Sequence, residues 1–171
     1  MLTFSDSVLR KVGRQILGSR AHHREVTSAM LAPEYQAWSF ELEQAVGVVE
    51  RPAGLIHDLA ESFERVNAEY FAGGLDRPRL RWNSTITRCT FGHYDFVHDI
   101  LWVSRTLDRE GVPRFVVDHV MHHELLHKKH GFEWHGRQQH THTPAFRAEE
   151  RSFKRYDEAA RFLSELSAST R

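Results

Sequence analysis

Between Pro113 and Gly131 lies the stretch that most constrains how this chain can fold: a run with helical rhythm, apolar on nearly every side, that carries two histidines one turn apart near its end. Proline is preorganised for the first helical turn, and glycine suits the position just past the last, so the spacing predicts a helix from Pro113 to about His130. Phe115, Val116, Val117, Val120 and Met121 leave it no broad polar face. Such a helix belongs in the middle of a fold. Val116, Val120, His123 and His127 fall on one side, so the histidine pair extends a stripe that faces the core.

His123-Glu124-Leu125-Leu126-His127 then has chemical meaning. Residues i and i+4 of a helix lie one above the other, so both imidazoles can reach one metal ion. Glu124 is placed to hold a water that completes the coordination sphere, the arrangement of zinc-dependent peptidases. The pattern needs context, because the chain has 13 histidines. A shuffled sequence of this composition would show the pattern about one time in twelve.

A catalytic zinc takes three protein ligands and leaves a fourth position open. His130, His135, His140, His142, Glu149 and Glu150 are candidates for the third. His130 is on the same helix and would crowd the pair without enclosing an ion. Thr143-Pro144 reads as a helix start, with a hydroxyl at the N-cap and proline in the first turn. That fixes the backbone at His142 and favours it over the loop residues, without excluding His140.

The remaining elements fall into two groups. Val8, Leu9, Val12, Ile16 and Leu17 form one helical stripe, and Tyr35, Trp38, Leu42, Val46 and Val49 form another after Pro33. Arg51-Pro52-Ala53-Gly54 breaks the rhythm, so residues 1–52 are expected to form a helical extension and residues 53–171 a second domain. Helical spacing resumes from Leu55 through Leu59, Phe63, Val66 and Tyr70, and ends at Gly73-Gly74. Three short strands are predicted next: one where Leu80 and Trp82 alternate with Arg79 and Arg81, then residues 86–94 and 100–103, the last two joined near residues 95–99. Phe146, Phe153, Tyr156, Ala160 and Leu163 keep helical spacing almost to the C-terminus. These elements make a chain of several helices with one run of three short strands.

Composition excludes several alternatives. Lys plus Arg equals Asp plus Glu, 23 each, so no global basic field draws in nucleic acid. The single Cys89 rules out an internal disulfide framework and a four-cysteine zinc ribbon. No apolar run approaches the ~20 residues that span a bilayer. Asp6, Arg10, Lys11 and Arg14 interrupt any signal-peptide reading of the first residues, so a soluble cytoplasmic protein is expected.

His123-Glu124-Leu125-Leu126-His127, followed by His142-Thr143-Pro144-Ala145-Phe146-Arg147, resembles the SprT-like metallopeptidase family. Asn67, Tyr70-Phe71, Leu75, Trp82, Gly92 and the strand from Ile100 to Ser104 fall in the order that family shows. The likeness covers about residues 55–165. It implies an α+β zincin-like core in which a small three-stranded sheet lies beside the histidine helix, zinc on His123, His127 and His142, and Glu124 as general base. The family's best-known members carry a cysteine zinc ribbon or a DNA-binding tail that is not found here, so their DNA-linked role is not carried over.

The resulting expectation is a zinc metallopeptidase in which Glu124 takes a proton from a metal-bound water as it attacks a peptide carbonyl. His93, Tyr94 and Tyr156 are candidate oxyanion donors. The substrate would be extended or unfolded polypeptide added along the edge of the sheet. The alternative is a non-catalytic zincin-fold module that binds nucleic acid or a protein partner; a third reading is hydrolysis of a different bond. Glu150 reads as an ordinary helix-surface charge rather than a partner for a ligand imidazole. Arg77, Arg79 and Arg81 read as a charged edge strand rather than a phosphate site. The connection from Lys128 to Thr141, with Lys129, Phe132, Trp134 and Arg137, suits either nucleic-acid contact or packing over the metal.

Overall fold

A computed structural model describes residues 50–83, 90–135 and 138–168, with a few isolated positions between 26 and 35. The apolar stripes expected over residues 8–17 and 38–49, the first four residues of the second strand expected at 86–94, and Arg137 lie outside the described residues, as does Cys89. The chain forms two compact units. One gathers residues 1–49, 96–98 and 132–140; the other gathers residues 50–95, 99–131 and 141–171.

In the second unit α1 (Leu59–Tyr70) starts later than its apolar rhythm predicts. Asp58 caps it, accepting from Ala60 N at 2.7 Å and Glu61 N at 3.3 Å. The four residues before it are held in a turn by a distant carboxylate: Asp108 accepts the backbone N–H of Leu55, Ile56 and His57 at 2.7, 2.9 and 3.1 Å. Leu55 and Ile56 are thereby turned outward, 85% and 50% exposed. At its other end the chain leaves the helix through Ala72 and Gly73, both with positive φ, and Gly73 N donates to Asn67 O at 2.9 Å.

Strands β1 (Arg79–Asn83), β2 (Gly92–Asp95) and β3 (Ile100–Ser104) form a mixed sheet of order β1-β3-β2. β3 is parallel to β1, Leu80 beside Leu101, and antiparallel to β2, Tyr94 beside Leu101. Alternation in β1 buries Leu80 and Trp82 and leaves Arg79 and Arg81 on the other face. Arg81 lies over the Trp102 ring at 5.1 Å, and Arg77 pairs with Glu50 at 2.9 Å. These commitments favour the structural reading of that arginine series.

Helix α2 (Arg114–His130) is the centre of this unit and touches α1, β2, β3 and both following helices. Pro113 is its N-cap in extended geometry rather than its first residue, and Gly131 at φ 65° ends it by donating to His127 O. Val116, Val117, Val120, Met121, Leu125 and Leu126 are all buried, so the helix is enclosed on most sides. Asp118 ties it to α1 through Ser62 Oγ at 2.6 Å and two contacts from Arg65 at 2.8 and 3.2 Å.

The last segment is two helices, α3 (Pro144–Arg151) and α4 (Tyr156–Ala168), where continuous spacing predicts one. Phe153 explains the break. It is buried and stacks on Tyr70 at 5.2 Å, while Lys154 N donates to the Tyr70 hydroxyl. A straight helix would not allow the ring to reach α1 in that way. The unit is thus α+β, with a small mixed sheet against a central helix. Among the described residues no helix is long and apolar enough to cross a membrane.

In the first unit β4 (Glu133–His135) and β5 (Gln138–His140) form an antiparallel hairpin, Glu133 opposite His140. Phe96 and Phe132 meet edge to face at 5.0 Å.

Candidate metal centre

Three Nε2 atoms converge. His123 and His127 Nε2 are 3.2 Å apart, His142 and His127 Nε2 are 3.2 Å apart, and His142 and His123 Nε2 are 3.3 Å apart. A tetrahedral ion held at about 2.0–2.1 Å requires its ligand nitrogens to lie about 3.3–3.4 Å from one another. The triangle therefore fits one face of such a coordination sphere. Neutral imidazoles each have a single N–H, so three facing nitrogens cannot all be satisfied by one another. They could hold a metal ion, and among the described residues no other group of three or more histidine, cysteine or acidic side chains is so placed.

Local structure produces the convergence. His123 and His127 are one turn apart on α2, and the last turn of that helix is followed at once by Gly131. His142 precedes Thr143, whose Oγ1 caps α3 by accepting from Phe146 N at 3.2 Å. Phe146 is fully buried and touches all three imidazoles, with ring centroids at 5.2 Å from His123, 4.7 Å from His127 and 4.8 Å from His142. The aromatic ring sets the depth at which the two segments meet.

Glu124 is buried beside the triangle, 5% exposed. Burial pushes its carboxyl up to about 7, against the opposing pull of His123 and of the Tyr94 backbone N–H. It rests on β2 at Gly92, where any side chain would collide with it. His123 Nδ1 lies 2.7 Å from Glu150 Oε1. Burial pulls the His123 imidazole down, but that hydrogen bond and the charges of Glu124 and Glu150 outweigh it and hold it above its ordinary value. Burial lowers His127 to about 3, helped by repulsion from His123, His142 and His93. The His123 hydrogen bond holds the Glu150 carboxyl below its usual range.

The other candidates are placed elsewhere. His130 Nε2 lies 3.1 Å from Glu149 Oε1, which also binds Lys129 through Oε2 at 2.5 Å. His135 and His140 belong to strands of the first unit. The Tyr94 hydroxyl donates to Asp99 at 2.6 Å, and Tyr156 meets His119 edge to face at 5.4 Å. His93 is exposed on β2. Lys128 lies in the last turns of α2, as the expected helix to about His130 has it, and pairs with Asp99 at 2.5 Å. Glu150 corrects the sequence reading, which made it a surface charge. It lies eight positions beyond His142, and nothing in the order of residues says which face of α3 turns toward α2.

The same helix carries two further imidazoles away from the converging nitrogens. His122 packs among Tyr70, Phe71 and Phe153, and His119 against Phe153 and Tyr156. Both are buried, each with an Nδ1 that has no hydrogen-bond partner among the described residues.

Comparison with protein families, curated proteins and solved structures gives no match.

Proposed function

We propose that this protein is a zinc-dependent metallopeptidase with a zincin-like core, of the SprT-like type that its motifs resemble. The observation that carries the reading is the Nε2 triangle of His123, His127 and His142 with a buried carboxylate, Glu124, one residue from the first ligand. An all-nitrogen donor set of three suits zinc and leaves a fourth position for water or substrate. Bound zinc supplies a Lewis acid and lowers the pKa of water from about 15.7 to near 7.

The chain's own residues supply the rest. His123, His127 and His142 hold the ion through Nε2. Glu124 acts as the base: its carboxylate accepts a proton from the attacking water and returns it to the leaving amine. Burial of Glu124 against β2 limits competing solvent. Among the described strands β2 is an edge of its sheet. An extended polypeptide added beside it would present its carbonyls next to Glu124.

Glu124→Gln tests this. The variant is expected to bind zinc as wild type does and to lose peptide hydrolysis by at least about a hundredfold. Undiminished cleavage would remove Glu124 as the base. A wild type that binds zinc but cleaves no peptide favours the non-catalytic module, and turnover restricted to esters or small amides favours a different hydrolase.

A further inference from the structure

We propose that Glu150 is a positioning residue for the metal centre, fixing His123 in the tautomer whose Nε2 lone pair faces His127 and His142. The inference rests on the metal reading above. A neutral imidazole places its one proton on either nitrogen. A proton on Nε2 of His123 would fill the space between the three converging nitrogens and block an ion. An ionised carboxylate can only accept, so Glu150 Oε1 at 2.7 Å from Nδ1 selects the Nδ1–H form and exposes Nε2.

The placement of Glu150 separates this role from that of an ordinary surface charge. Its neighbour Glu149 is turned outward, its side chain 37% exposed, and binds Lys129 and His130. Glu150 is turned inward, its side chain 18% exposed, and its ion-pair partner is an imidazole rather than a lysine or arginine. The two consecutive carboxylates therefore hold α3 to α2 from different sides. Helix α3 also follows His142 directly, so one eight-residue helix supplies a ligand just before its start and the orienting carboxylate near its end.

The test uses the full chain and the variants Glu150→Ala and Glu150→Gln. Nitrogen-15 NMR of the metal-free protein, at a pH where the imidazoles are neutral, reads the His123 tautomer; chelator competition reads zinc affinity. Wild type is expected in the Nδ1–H form. E150A should lose that preference and bind zinc about 10–100-fold more weakly. E150Q keeps an acceptor oxygen without the charge, so it should retain the tautomer and bind with intermediate affinity. An unchanged tautomer and unchanged zinc affinity in E150A overturn the role of Glu150 and leave the metal reading standing. If E150A does not fold, E150Q with wild-type affinity overturns it instead. A wild type that binds no zinc overturns both.

Discussion

Gly92 of β2 lies against Glu124 of α2 so closely that a β carbon there would stand 2.8 Å from Glu124 Cγ and 2.7 Å from Val120 Cγ1. Real β carbons essentially never approach so near, so the glycine is what lets the buried carboxylate rest on the strand. The relationship joins the edge of the sheet to the proposed general base.

Gly92→Ala therefore acts on position more than on fold. The added methyl must displace Glu124 or push α2 from the sheet, at a cost of about 1–3 kcal/mol. Chemical denaturation should read a loss of that size. Turnover should fall at least about tenfold with zinc affinity little changed. Wild-type activity in a folded G92A protein would contradict the contact.

His142→Ala removes the only one of the three imidazoles that comes from outside α2. Zinc copurifying in wild type should be absent from the variant. Zinc at about 100 times its dissociation constant should add about 2.7 kcal/mol to wild-type stability. That increment should vanish in H142A. Equal zinc-dependent shifts in thermal melting of the two proteins would sink the ligand assignment.

Phe146→Ala tests the floor beneath the three rings. The side chain is fully buried, so truncation should cost about 3–5 kcal/mol. Because it touches His123, His127 and His142, zinc affinity should fall as well. Phe146→Leu, which keeps most of the volume, should restore stability more fully than zinc affinity.

Acid should destabilise the metal-free protein through His119 and His122. Burial lowers both from an ordinary 6.5 to about 4. The unfolded chain then binds more protons than the native state between those values, so native stability is highest above about pH 6.5 and declines as pH falls toward 4. Each group contributes a slope of at most about 1.4 kcal/mol per pH unit in that window. His119→Phe should flatten the dependence measured by denaturation at several pH values. An unaltered slope would show that His119 is not the group titrating.

Where structure is local, the sequence was a good guide. The limits of α2 follow from proline and glycine, and the shared face of His123 and His127 follows from helical pitch alone. The N-cap at Thr143 was equally legible, because a hydroxyl followed by proline acts within one turn. Leu55 shows where this fails. Its spacing belongs to the helix that follows, but Asp108, more than fifty residues away, captures the backbone N–H groups of Leu55 and Ile56 and turns both outward. Phe153 likewise carried helical spacing while its ring, buried against α1, ends one helix and starts another.

Sequence alone determined that two imidazoles and a carboxylate would sit on an enclosed helix, because the period of a helix is fixed by its backbone hydrogen bonds. Tertiary packing decided what they face. The meeting of α3 with α2 around Phe146 brings His142 to within 3.2–3.3 Å of the pair and turns Glu150 rather than Glu149 toward His123. Those choices depend on how side chains from distant segments interlock, and no residue spacing encodes that rotation.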